Sequence, residues 1–430
     1  MCSDRTRLRL EESAVKLPRP FIIAMLMVPA IGGPICAQQS AQRLTLAQAL
    51  DLAEKQNLDL LAVRAKQAVA QAGVRIAGER PNPTASFGAS RDSPHEGAFI
   101  DQPVEIGPKR ARRIDVAQQE VAATETDIAA IEKQVRHRVR DTYFGLAHTR
   151  GTTELQSGAL QLAQRLHEIA QQRFEAGDVA QLEVTQAELE VARAQAGLQV
   201  AQQEEKVALS DLNALLNEPA ETNWDLGDAL AAPSVTPVLQ DLLTRASSSN
   251  AEVQRIGQEV KVEQSHKALL EAERIPSLGL QFGMDLNAPG APDQRNTGGY
   301  IVGPRGGLSI ELPIFSHNQG EIAQSVASER ALEEQLAAAR RTADSEVESA
   351  YFDLQARQTQ ARLYRETILP SSHRLEEMAE ESYRAGKAGL LMVLGAQRDV
   401  QQVEHDYLDS LLALQFALAQ LEEAVGAPLD

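Results

Sequence analysis

The sequence predicts a mainly α fold in which two copies of one unit follow each other, each a β-hairpin leading into a long helical hairpin. Three observations carry this. First, Gln172–Val191, QRFEAGDVAQLEVTQAELEV, returns as Glu381–Val400, ESYRAGKAGLLMVLGAQRDV. Second, long runs with helical apolar spacing flank both copies, and the break they share is an Ala-Gly step, Ala176-Gly177 and Ala385-Gly386. Glycine reaches positive φ without steric cost, so each step is a tip where a helix ends and the chain reverses. Third, ahead of each hairpin the apolar period changes to two, the mark of a strand with one apolar face. Across the repeat, Phe174 matches Tyr383, Leu182 and Val184 match Leu391 and Val393, and Ala187 and Val191 match Ala396 and Val400.

The 430 residues carry a net charge of −18, with 43% apolar and only 4% aromatic residues. Few aromatics with much Ala, Gln, Glu and Leu is the composition of long helices and coiled coils. The acidity reads as solvated helix faces, and without a basic patch nucleic acid is not an expected partner. Residues 1–37 read as a signal peptide: Arg5, Arg7, Arg9, Lys16 and Arg19 make a basic front, and Phe21–Ile31 is an apolar stretch too short to span a bilayer. Cleavage is expected after Ile35-Cys36-Ala37; Gly-Pro-Ile before Cys36 is a poor match to a lipid-attachment site. Cys2 and Cys36 then leave with the leader, so no disulfide is expected. No later run has the roughly eighteen apolar residues of a transmembrane helix.

In chain order, Leu44–Arg80 is expected to be helical, with Leu46, Leu50, Ala53, Leu58 and Leu61 near 3–4 spacing and Thr45 as N-cap. Pro81 and Pro83 end it, as Pro276 ends the matching helix, Val238–Ile275. In Ser277–Leu286, Leu278, Leu280, Phe282, Met284 and Leu286 point one way, and Ser277, Gly279, Gln281, Gly283 and Asp285 the other. A Gly/Pro/Asn/Asp loop follows over Asn287–Gly299, and then Leu308, Ile310, Leu312 and Ile314 alternate with Gly307, Ser309, Glu311 and Pro313. Thr84–Arg91 and Phe99–Ile106 hold the same places in the first copy. Such a hairpin is either a small sheet packed on helices or a lipid-facing barrel wall. The strand lengths favour the wall, since about nine to eleven residues span the hydrocarbon layer.

Beyond the strands, Ile128, Ile131, Val135, Val139, Thr142 and Leu146 keep helical steps, as do Leu332, Leu336, Ala339, Ala343, Val347, Ala350 and Leu354. A helix over Ile114–Phe174 would be roughly 90 Å long at 1.5 Å per residue, though Gly145, Gly151 and Gly158 interrupt its pattern. After the second tip, Val393, Val400, Tyr407, Leu414 and Leu421 recur every seven residues, a coiled-coil seam. The expected divisions are 1–37, a first repeat over 38–218, a linker or equatorial segment over 219–237 containing Trp224, and a second repeat over 238–430.

This combination resembles the TolC family of outer-membrane efflux channels over nearly the whole mature chain. The most specific pieces are Leu312-Pro-Ile-Phe-Ser-His-Asn-Gln-Gly320 and Tyr383-Arg-Ala-Gly386. Gln102-Pro-Val-Glu-Ile-Gly-Pro-Lys-Arg110 resembles the joint in members serving cobalt–zinc–cadmium pumps. The resemblance implies a homotrimer in the outer membrane of a Gram-negative bacterium, with a trimeric α-barrel extending into the periplasm and a 12-stranded transmembrane β-barrel embedded in outer-membrane lipid. Strand counting agrees that one chain cannot close alone, since four strands fall short of the smallest known barrel of about eight. The resemblance further implies a periplasmic adaptor (membrane fusion) protein and an inner-membrane resistance–nodulation–division pump as partners. That pump would select the cargo, a metal ion, a drug or another small molecule.

The sites expected are a periplasmic tip and aperture at Ala176, Gly177, Glu183, Tyr383, Ala385, Gly386 and Met392, and a lipid-facing strand surface at Leu278, Leu280, Phe282, Met284, Leu308 and Ile310. Glu183 and Tyr383 resemble residues that hold the family's closed mouth. Met392 and Gly395 stand where relatives carry an acidic ring. The eight histidines include no i, i+4 pair of the zinc-helix type, the Gly298–Gly307 cluster precedes no helix, and no G-x-S-x-G occurs. His95, near Asp92 and Glu96, falls in a surface loop. No catalytic, cofactor or metal site is therefore expected. A passive duct is the reading, and a secreted or periplasmic coiled-coil scaffold is its rival.

Overall fold

A computed structural model describes residues 42–89, 96–233, 235–287 and 301–429. The signal segment, Cys36, His95 and all but the first residue of the Asn287–Gly299 loop lie outside the described residues. The first repeat runs β1 (Gln42–Leu44), α1 (Leu46–Gln56), α2 (Leu58–Ala77), β2 (Thr84–Ala89), β3 (Glu96–Val104), α3 (Lys109–Glu175) and α4 (Gln181–Leu216). Then β4 (Trp224–Leu226) leads to α5 (Leu239–Ser249), α6 (Ala251–Glu273), β5 (Ser277–Asn287), β6 (Ile301–Glu311) and α7 (Gln319–Leu363). A π-helical turn, Tyr364–Ile368, joins α7 to α8 (Leu369–Arg384), and α9 (Leu390–Val425) completes the second repeat.

Thr45 caps α1 as expected, in a capping box with Gln48. The helix expected over Leu44–Arg80, however, breaks at Asn57, and its counterpart breaks at Asn250. Each asparagine ends one helix and starts the next. Asn57 Oδ1 accepts from the Leu60 amide at 3.1 Å, and its Nδ2 donates to the Leu215 carbonyl at 3.0 Å. Asn250 accepts from the Glu252 and Val253 amides and donates to the Ala424 carbonyl at 2.9 Å. Each repeat thus pins its opening helix to the end of its own descending helix.

The helix α3 runs unbroken for 67 residues, roughly 100 Å at 1.5 Å per residue. Its glycines do not break it. At Gly151 the absent side chain lets α9 approach, since a Cβ there would lie 3.1 Å from Leu408 Cδ1. The second copy is not one run, because a single five-residue π-turn, Tyr364–Ile368, interrupts it just before Pro370. Proline removes the N–H that would bond the Glu366 carbonyl and crowds that carbonyl, and a π-turn absorbs both defects.

On the strand side the helices lie side by side in the order α2, α3, α6, α7, and on the tip side in the order α4, α3, α9, α8. The two cores meet at mid-height. One joins Val135, Val139, Tyr143, Leu146, Leu212 and Leu216 to Leu44 and Trp224. The other joins Val347, Ala350 and Leu354 to Leu411, Leu414, Leu418 and Leu421 of the heptad helix. The 219–237 segment belongs to this belt. Its β4 pairs in parallel with β1, Trp224 Nε1 donates to Asn213 Oδ1 at 2.6 Å, and Tyr143 Oη donates to the Leu44 carbonyl at 3.0 Å.

Candidate functional site

The four strands form one antiparallel sheet in the order β2-β3-β5-β6. Leu278 stands opposite Ile310 and Leu280 opposite Leu308, while Ile100 of β3 stands opposite Phe282. Leu278, Leu280, Phe282, Met284, Leu308 and Ile310 therefore share one face. Phe282, Met284, Leu308 and Ile310 are each at least half exposed on that face. The other face carries Asp101, Gln281, Asp285, Arg305 and Ser309. It also carries Phe99, which the sequence had shown only as a strand start. The Phe99 ring lies over Gly97 and Gly283, where any Cβ would collide with it, and Arg305 sits 5.7 Å from its centroid. Those glycines clear space for an aromatic ring on an otherwise polar surface. The strands of β5 and β6 have 11 residues each, the length that crosses a bilayer's hydrocarbon layer.

At the far ends of the helical hairpins the two tips have one geometry. After α3, the Gly177 amide donates to the Phe174 carbonyl and the Asp178 amide to the Arg173 carbonyl, both at 2.9 Å. After α8, the Gly386 amide donates to Tyr383 and the Lys387 amide to Ser382, again both at 2.9 Å. These paired bonds define a Schellman cap, whose C′ residue must be left-handed. Gly177 and Gly386 have φ of +82° and +69°. Ala176 and Ala385 are exposed beside them, and Met392 and Leu391 are exposed on the first turn of α9.

The repeat is broken in one respect. Phe174 is 37% exposed, but its counterpart Tyr383 is 1% exposed within a cluster of Leu166, Ala170, Val184, Leu390 and Val393. Arg173, which sequence reasoning missed, stacks its guanidinium 4.8 Å from the Tyr383 ring centroid. The Tyr383 hydroxyl, Arg173 Nη1 and Glu183 Oε2 are all buried without a hydrogen-bond partner among the described residues. Burial holds the Tyr383 phenol above its ordinary pKa; Arg173 opposes this and Glu183 adds to it. The structure thus brings Glu183 and Tyr383 together from different hairpins, while Met392 remains outside the cluster. The signal for Arg173 was a cation four residues before the tip glycine.

Residues 49–218 and 242–427 match the outer membrane efflux protein family. The chain belongs to that family. It is 26% identical to the cobalt-zinc-cadmium resistance protein CzcC of Cupriavidus metallidurans, over 91% of this chain and 92% of that protein. It is also 26% identical to the pyoverdine export outer membrane protein OpmQ of Pseudomonas aeruginosa, over 87% of this chain and 82% of that protein. Among solved structures, CusC superposes with a TM-score of 0.71 at 17% identity, covering 91% of this chain and 96% of that one. The outer membrane protein VceC of Vibrio cholerae does so at 0.69 and 18%, covering 90% and 97%. As a family member the chain is an outer-membrane efflux channel subunit of a Gram-negative bacterium and not an enzyme. Its role is conduction and calls for no catalytic centre.

Proposed function

We propose that three copies of the chain close side by side into a passive duct, whose strands form the membrane barrel and whose Ala-Gly tips form the periplasmic mouth. One observation carries this reading: the wall of a single chain is open on both sides. In the sheet, β2 and β6 are edges. Among the helices, α2 and α4 lie at one side and α7 and α8 at the other. A strand edge inside lipid leaves backbone groups without partners, each costing several kcal/mol, so the sheet must close. Both sides also expose apolar rows: Leu182, Leu189, Val200 and Val207 on α4, and Leu363, Leu375 and Met378 on α7 and α8. Joining unlike edges in a ring is a closed heterologous assembly. With four strands per chain, three copies give 4 × 3 = 12 strands, and two would give a barrel of about eight filled by side chains.

In this reading the apolar strand face meets outer-membrane lipid, and 38–218 and 238–430 are the two repeats, joined by the equatorial 219–237. The tips receive a periplasmic adaptor that links the duct to an inner-membrane resistance–nodulation–division pump. The names of the metal-resistance and pyoverdine-export relatives support a cargo among metal ions and other small molecules. Native mass measurement of detergent-extracted protein is expected to give three chains. A stable folded monomer recovered from the membrane fraction would overturn the closure.

The buried trio at the tip leads to a second expectation. In one chain the Tyr383 hydroxyl has no partner among the described residues, so Tyr383→Phe would be silent or slightly stabilising if the residue only packs. If a closed mouth uses the hydroxyl and Glu183 as latch groups, Tyr383→Phe and Glu183→Gln each raise passive entry of small solutes severalfold at unchanged oligomer levels. Uptake of a normally excluded antibiotic measures this, and unchanged uptake in both variants removes the latch.

A further inference from the structure

The helical wall holds a cluster that the channel reading does not use. On α9, His405, Asp406 and Asp409 each bring a ligand-type atom within 4.8 Å of the others. His405 Nδ1 lies 3.2 Å from Asp409 Oδ2. Two ligands of a tetrahedral zinc site with bonds of about 2.0–2.1 Å stand roughly 3.3 Å apart, so the His405–Asp409 pair already has that spacing, and Asp406, within 4.8 Å, needs at most a side-chain adjustment to join it.

Neighbouring side chains hold both carboxylates in place. His148 of α3 donates Nε2–H to Asp409 Oδ1 at 2.7 Å, which turns the other oxygen toward His405. Gln402 donates to Asp406 Oδ1 at 2.7 Å, and the Tyr364 hydroxyl reaches Asp406 Oδ2 at 3.5 Å. Tyr364 is the first residue of the π-turn that Pro370 imposes, and such turns recur at functional sites. Both carboxylates are therefore oriented by outer groups from α3, α9 and the π-turn, the arrangement that fixes metal ligands. The His148 side chain is 16% exposed and that of Asp409 51%, so the supporting group is inside the wall and the ligand faces solvent.

We propose that His405, Asp406 and Asp409 bind one divalent first-row cation of the zinc or cobalt(II) class, with His148 positioning Asp409. Two carboxylates and a neutral imidazole balance a divalent charge. The imidazole disfavours magnesium and calcium, which prefer all-oxygen shells, and the absence of sulfur from the set disfavours copper(I). Three protein ligands leave a coordination position open to water, which suits an exchangeable ion better than a permanent structural one. A search for paired histidines misses the site, because its i, i+4 pair is a histidine and an aspartate, His405 and Asp409.

The test uses tag-free full-length protein in detergent, titrated with cobalt(II) and with zinc, and does not depend on export. One zinc equivalent per chain and tetrahedral cobalt(II) absorption bands are expected, unaffected by excess magnesium. His405→Ala and Asp409→Asn lose that equivalent, while His148→Gln keeps it with about 10- to 100-fold weaker affinity. Equal binding by wild type and both ligand variants means adventitious surface binding only and overturns the proposal. Should the variants not assemble, X-ray absorption of zinc-loaded wild type decides: an imidazole among the ligands supports the site, and an all-oxygen shell overturns it.

Discussion

Arginine at Leu280 and Phe282 together is expected to abolish the heat-resistant oligomer and its recovery in the outer membrane. Both lie on the apolar face of β5. Leu280 stands opposite Leu308, and Phe282 lies between Ile100 and Gly306. Phe282 and Leu308 are 61% and 62% exposed in the single chain, with nothing of their own fold to cover them. An arginine near the bilayer midplane on a barrel's lipid face costs about 2–4 kcal/mol, so two would remove a large share of a typical folding stability. The control is Gln281→Arg, on the opposite face opposite Gly307, which the proposed barrel turns toward water, so the cost should be small. Gel mobility with and without heating, run on membrane fractions, reads the result. Full recovery of the double variant would show that this face does not meet lipid.

Valine at both Gly177 and Gly386 is expected to cut export at least tenfold while oligomers still reach the membrane. A Cβ at either position would meet no atom within 4 Å, so the defect is not a clash. It is conformational: φ of +82° and +69° is a region a β-branched residue occupies only under strain, at about 1–2 kcal/mol per residue. Relief requires unwinding the Schellman cap, which would lengthen or tilt the tip proposed above to receive the adaptor. Asparagine tolerates the left-handed region far better, as Asn217 with φ +55° and Asn318 with φ +60° show in this chain. Gly177→Asn with Gly386→Asn should therefore keep most export. Normal export by the valine pair at full oligomer levels would remove tip shape from the mechanism.

Much of this protein is legible in the sequence because much of it is periodic. The strand alternation of Leu278–Leu286, the proline stop at Pro276 and the heptad from Val393 to Leu421 are local patterns, and local backbone preference and one-sided burial suffice to impose them. The left-handed tips are local too, since glycine alone makes the turn inexpensive. What the tertiary structure decided are the pairings between distant parts of the chain. Asn57 and Asn250 read as ordinary helix interior until Leu215 and Ala424, 158 and 174 residues away, present free carbonyls to them. Phe174 and Tyr383 are equivalent in the repeat, yet only Tyr383 is buried, because the two hairpins pack against each other asymmetrically. His148 and Asp409 are 261 residues apart and meet only because α3 and α9 lie side by side. A hydrogen bond or ligand set needs atoms placed within a few tenths of an ångström, and hydrophobic spacing along one helix says which face is buried but not which distant side chain will face it.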